Sequence, residues 1–211
     1  IIPKAGGTLD KYQGDAVIAF WNAPLEVKHH EQRAVEAALA CQRRLRELAP
    51  EFEKDFGISV RMRVGIHTGS VSVGNFGSKQ RFNYTMIGDA ANVASRLEGV
   101  NKVFGTAIIV SEHTGQGVAG GVTLRRIGAV KVVGRKEPIA IFQPLDPVND
   151  GELVKLLPTY HDAVRLFEEG HIDEALREFQ KLPNDSVSLA YCARISSSGV
   201  AGSSVWDVKE K

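Results

Sequence analysis

An antiparallel-rich α+β fold followed by a small helical tail is predicted by three features of this chain. Strand and helix signals alternate as far as about residue 145, two segments have the pattern of β-hairpins, and after Pro144 and Pro147 the pattern turns wholly helical. With 211 residues, 43% of them hydrophobic and 24% charged, the chain has room for one domain with a sizeable core and a smaller appendage. The boundary falls near 148, which gives a larger unit at 1–148 and a tail at 149–211.

The elements follow in order. TLDKYQGDAVIAFW, residues 8–21, sets Gly14-Asp15 between two strand-favouring runs. Glycine takes positive φ cheaply, so this reads as a hairpin, and on that reading alone Asp15 serves the turn, as aspartate often does. Residues 30–48 carry Ala34, Ala38, Cys41, Leu45 and Leu48 at alternating spacings of four and three, one apolar face of an amphipathic helix. ISVRMRVGIHTGSVSV, residues 58–73, alternates apolar and polar around a Gly-rich turn; with RFNYTMIGD it predicts two or three antiparallel strands, a hairpin arm. From Asp89, a good N-cap, a helix runs to about Val103. AIIVSE is a buried strand, and GGVTLRRIGAVKVVGRKEPIAIFQPL gives two more strands around Gly134, with Pro144 and Pro147 marking a linker. Beyond it, Ala163, Phe167, Gly170, Ala175, Phe179 and Pro183 stand where one tetratricopeptide-like helix pair has them, and SVSLAYCARI opens a second. Such a tail is an interaction or packing element.

Composition removes several function classes. A formal charge of +1 gives no electrostatic reason to expect nucleic acid or an anionic membrane as partner. Cys41 and Cys192 are far apart in helix-like settings, as reduced thiols of a cytoplasmic protein are. There is no apolar run of about 18 residues and no basic-then-apolar leader, so this segment makes no direct membrane contact, and any anchor of the parent protein lies upstream. The start at Ile-Ile-Pro rather than Met marks a fragment. GQGVAG at 115–120 matches G-x-G-x-x-G, but a strand follows it, so a phosphate there has no helix N-terminus to sit on. The six histidines show no metal-ligand spacing.

YTMIGDAANVASRLE, residues 84–98, carries more chemistry. Asn92 and Arg96 stand four apart, on one face near the start of the helix. An amide and a guanidinium presented together form an anion and sugar clamp; the competing reading is an ordinary solvated face.

Read together, these segments resemble the class III nucleotidyl cyclase catalytic domain, the family of adenylyl and guanylyl cyclases, over about residues 5–145. GGTLDKYQGDAVIAFW resembles its second metal hairpin, RVGIHTGSVSVGNFGSKQRFNYTMIGD its dimerisation arm, and NVASRLE its transition-state helix. The resemblance implies a ferredoxin-like cyclase fold in two layers. It implies an activity too: the ribose 3′-oxygen attacks the α-phosphate and pyrophosphate leaves, at a site shared between two copies of a homodimer that uses two Mg²⁺ or Mn²⁺ ions. Asp15 is then a carboxylate ligand to both ions, lifted out by the tight turn; Asn92 orients the ribose; Arg96 stabilises charge on the α-phosphate.

Base choice follows from chemistry as well. Adenine offers an acceptor at N1 and a donor at its 6-amino group, whereas guanine reverses both. Lys11 only donates and Thr85 accepts, a pairing that suits adenine and is similar to the lysine and threonine of bacterial adenylyl cyclases. A hydroxyl also donates, so modest discrimination against GTP is expected. Two departures from the family pattern stand out. The first strand, with its own metal-binding Asp, has no counterpart after Ile1, so the chain alone is expected to be weakly active or inactive. Val133 replaces a phosphate-contacting Lys before Gly134, and Arg135 or Lys136 stands in for it. The expected function is an adenylate cyclase output module that takes ATP and answers to an upstream sensor domain. The rival is a catalytically silent cyclase-like module that only dimerises or binds nucleotide.

Overall fold

The structure, a computed structural model, describes residues 1–78, 80–118, 120–132, 137–198 and 205–208. Its first hairpin pairs β1 (Thr8–Gln13) with β2 (Ala16–Phe20) in antiparallel fashion around Gly14-Asp15, with Gly14 at φ 62° as a two-residue turn requires. The register slips once. Leu9 faces Ala19 and Lys11 faces Ile18, so Asp10 is an extra residue in β1, a bulge. Helix α1 (His30–Phe56) continues past Leu48, where the apolar spacing fades, and carries Pro50 within it. It ends at Gly57, whose left-handed φ of 67° lets its N–H bond Glu53 O.

The next strands are β3 (Val64–Ile66), β4 (Ser72–Gly77) and β5 (Phe82–Ile87). β4 and β5 make the expected antiparallel arm, from Ser72 opposite Ile87 to Gly77 opposite Phe82. β3 stays out of it, correcting the antiparallel reading of residues 58–73: it pairs in parallel with β6 (Ile108–Ser111). A parallel neighbour needs a crossover, which α2 (Asp89–Phe104) supplies. After α3 (Glu112–Gln116), β7 (Thr123–Lys131) and β8 (Ile139–Leu145) pair antiparallel. Pro144 lies inside β8, opposite Leu124, rather than in a linker, and Pro147 follows in the turn. The five-stranded sheet runs β3-β6-β8-β7-β9, where β9 (Val205–Asp207) adds to β7 in parallel.

Every residue of β6 is buried. Ile109 packs with Val93, Leu97 and Phe104 of α2, while Ile108 and Val110 pack with Val35, Ala38 and Leu39 of α1. Alternate residues of a strand point to opposite faces, so helices cover both faces of this sheet. The class is α+β as expected, but with three layers where two were read from the sequence.

The chain then forms α4 (Gly151–Glu168), α5 (Ile172–Gln180) and α6 (Ser186–Ser198). Tyr160, Phe167, Phe179 and Tyr191 of these helices belong to the same buried cluster as α2. Phe179 and Tyr191 stack at 4.5 Å, and Trp206 of β9 meets Phe104 of α2 edge-on at 4.7 Å. Tyr160 donates to Arg126 O and Tyr191 to Ile127 O, which ties two helices to β7. No helix among the described residues is long and apolar enough to cross a membrane.

Candidate active site

The structure brings Lys11 and Thr85 together from strands of two different hairpins. Lys11 Nζ donates to Thr85 Oγ1 at 3.1 Å. Thr85 Oγ1 in turn donates to Asp10 Oδ2 at 2.8 Å, and Lys11 lies 3.5 Å from the same carboxylate oxygen. In a regular strand the side chains of residues 10 and 11 would point to opposite faces. The bulge at Asp10 turns both toward Thr85. Their exposure differs sharply: the Lys11 side chain is 45% exposed, that of Asp10 only 3%. Asp10 was missed from the sequence. Period-two alternation assigns it the wrong face, and only the strand register reveals it.

Asp15 sits at the tip of the first hairpin, exposed to solvent. Its carboxylate is the oxygen donor that a hard cation takes. Mg²⁺ is held by one or two carboxylates together with substrate phosphates, so a single carboxylate presented this way fits part of such a site. Among the described residues, no group of three or more His, Cys, Asp or Glu is assembled as a metal cluster.

Asn92 is exposed and Arg96 half-buried, one turn apart on α2. Gly88 occupies the N-cap and Asp89 is the first helical residue, so the capping position read for Asp89 lies one residue earlier. The Lys11–Thr85 pair makes no hydrogen bond to Asp15 or Asn92, both of which are exposed. What fixes α2 is backbone contact. A Cβ on Gly65 of β3 would lie 2.2 Å from Ala94 O and 2.3 Å from Glu98 N, so strand and helix backbones meet on either side of Arg96. Asn101, 1% exposed, donates to Val64 O at 3.0 Å and accepts from Thr106 Oγ1 at 2.8 Å, pinning the far end of α2 to β3. Arg135 and Lys136, the phosphate contacts read from the sequence, lie outside the described residues together with Val133 and Gly134.

Residues 11–143 match the family described as the adenylate and guanylate cyclase catalytic domain. Adenylate cyclase 1 of Rhizobium meliloti is 38% identical over 150 residues, 71% of this chain and 22% of that protein. The terminal-differentiation-specific adenylate cyclase of Dictyostelium discoideum is 31% identical over 207 residues, 92% of this chain and 9% of its own. The adenylate cyclase of Anabaena cylindrica is 35% identical over 149 residues, 67% of this chain and 29% of its own. The chain thus spans less than a third of each of these relatives. Among solved structures, the adenylyl cyclase CyaB of P. aeruginosa aligns with a TM-score of 0.62 at 32% identity, covering 68% of this chain and 74% of that one. The guanylyl cyclase Cya2 aligns with a TM-score of 0.62 at 30% identity, covering 70% and 76%. With residues 11–143, well over half of its length, matched, the chain belongs to the adenylate and guanylate cyclase catalytic domain family.

Proposed function

We propose that this chain is an adenylate cyclase module, converting ATP to 3′,5′-cyclic AMP and pyrophosphate at a homodimer interface in signal transduction. Overall likeness does not choose the base, since an adenylyl and a guanylyl cyclase match with the same TM-score of 0.62. The observation that carries the choice is the Lys11–Thr85 pair, 3.1 Å apart, which offers a donor to adenine N1 and an acceptor to its 6-amino group.

In the proposed reaction the ribose 3′-oxygen attacks the α-phosphorus. An O3′–P bond forms as the 3′-hydroxyl proton passes to water, the bond from that phosphorus to the bridging oxygen breaks, and pyrophosphate leaves. Asn92 orients the ribose, and the Arg96 guanidinium opposes charge growing on the α-phosphate. Asp15 would hold the Mg²⁺ or Mn²⁺ pair, and a pair bound there would supply Lewis-acid screening of the phosphates and make the 3′-hydroxyl easier to deprotonate. Arg135 and Lys136 remain candidates for the outer phosphates. Tyr12, Val17, Phe82 and Ile87 on the two hairpins are 71, 50, 63 and 53% exposed, apolar surface that a second copy would cover. Relatives several times longer than this chain are consistent with a sensor domain elsewhere in the parent protein.

The test reverses the base code in the native protein. Lys11→Glu with Thr85→Cys exchanges donor for acceptor, and should move the kcat/KM ratio for ATP over GTP by roughly 10² toward GTP. An unchanged ratio would overturn the base assignment. Failure of the wild type to turn over either nucleotide would point to a silent module that dimerises or only binds nucleotide.

A further inference from the structure

We infer that Asp10 is a positioning residue for base specificity: it holds the Thr85 hydroxyl proton and so makes Thr85 an obligate acceptor toward the base. The inference rests on the proposed role of Lys11 and Thr85. From sequence alone Thr85 is ambiguous, because a hydroxyl has one proton and two lone pairs. The structure removes the ambiguity. The proton goes to Asp10 Oδ2 at 2.8 Å, and one lone pair takes the Lys11 ammonium at 3.1 Å. What remains is one lone pair, which pairs with the 6-amino group of adenine and faces the O6 of guanine oxygen to oxygen.

Asp10 does not read the base itself. With 3% of its side chain exposed it sits behind Thr85 and Lys11, while Lys11, 45% exposed, meets the ligand. Nor is Asp10 chiefly the counter-ion of Lys11, since the carboxylate lies closer to the hydroxyl, at 2.8 Å, than to the ammonium, at 3.5 Å. The arrangement depends on the β1 bulge, which turns adjacent residues of one strand toward the same hydroxyl.

The test reads binding rather than turnover. ATP and GTP dissociation constants are measured by isothermal titration on this chain, wild type and variants, with thermal melts to verify folding. Asp10→Asn presents an amide whose N–H can donate to Thr85, releasing the hydroxyl proton toward guanine. The preference for ATP should fall about tenfold, by loosened discrimination against GTP. Adding Thr85→Asp to Asp10→Asn should restore the preference, because a carboxylate cannot donate whatever stands beside it. If Asp10→Asn does not fold, Asp10→Ser, too short to hold the proton, carries the same comparison. An unchanged preference in these variants, while Lys11→Glu with Thr85→Cys shifts it, overturns the role of Asp10 and leaves the base reading standing. Equal weakening of both nucleotides, unrescued by Thr85→Asp, makes Asp10 merely structural and also overturns it. No effect from either set removes the base reading and this inference with it.

Discussion

Truncating Asp185 to alanine should strongly destabilise the packing of the helical tail on β7. Asp185 Oδ1 lies 2.8 Å from Arg125 Nη1, with side chains 5% and 1% exposed, so the pair is fully desolvated. Its other oxygen accepts from Ser188 N at 3.0 Å and Ser188 Oγ at 2.6 Å, capping α6. Removing one partner of a buried pair costs about 3–5 kcal/mol, chiefly because the remaining charge is stranded. Here Gln143 Oε1 at 2.6 Å and the Tyr160 ring at 4.6 Å still face the guanidinium, which puts the cost at the lower end, while the lost cap adds about 1 kcal/mol. About 4 kcal/mol is a large share of a typical total of roughly 5–15 kcal/mol. At about 2–4 °C per kcal/mol for a chain of this size, the Tm should fall by about 8–16 °C in a circular dichroism melt. Replacing both partners, Arg125→Met with Asp185→Leu, should recover much of the loss, since no charge is then left buried. A Tm within about 2 °C of wild type for Asp185→Ala would refute the idea that this pair locks the tail to β7.

Two further outcomes follow from the same packing. Gly65→Ala places a methyl 2.2 Å from Ala94 O, so it should push α2 from β3, lowering both Tm and nucleotide turnover; an unperturbed enzyme would show that this contact does not set Arg96. Asp146 bonds Arg43 Nη1 at 3.0 Å; burial pushes its carboxyl up, but Asn149, the Val148 N–H and Arg43 outweigh burial and leave it below its ordinary 3.8. A depressed carboxylate contributes stability that is present above about 3.8 and lost as pH falls toward its folded value, so Asp146→Asn should flatten the acid limb of a stability–pH curve. An unchanged acid limb would count against it.

What the sequence disclosed was local. The Gly14-Asp15 turn, the apolar spacing at the start of α1 and the helix start near Asp89 depend on neighbours a few residues away, and each of these formed where its pattern lay. What stayed hidden depends on partners far along the chain. Val64–Ile66 reads as part of an arm until Ile108–Val110 pairs with it across α2. Nothing about Val205–Asp207 marks it as an edge strand; its place follows from Trp206 packing on Phe104 and Tyr191. Lys11 and Thr85 were legible as chemistry, one donor and one acceptor, but their meeting and the third member, Asp10, required the register slip in β1.

We propose that cyclase chemistry here draws on residues of two copies, Asp15 from one and Asn92 with Arg96 from the other. The most direct test mixes two inactive variants of the native protein. Asp15→Ala and Arg96→Ala should each be nearly inactive in cyclic AMP formation from ATP, as loss of a metal ligand and of about 3 kcal/mol of charge stabilisation implies. When subunits exchange freely, half of the dimers are mixed, and each mixed dimer holds one intact and one doubly damaged site. Activity should then rise to roughly a quarter of the wild-type rate, far above the average of the two parents. Verified mixed dimers with no rise above that average would contradict the shared site.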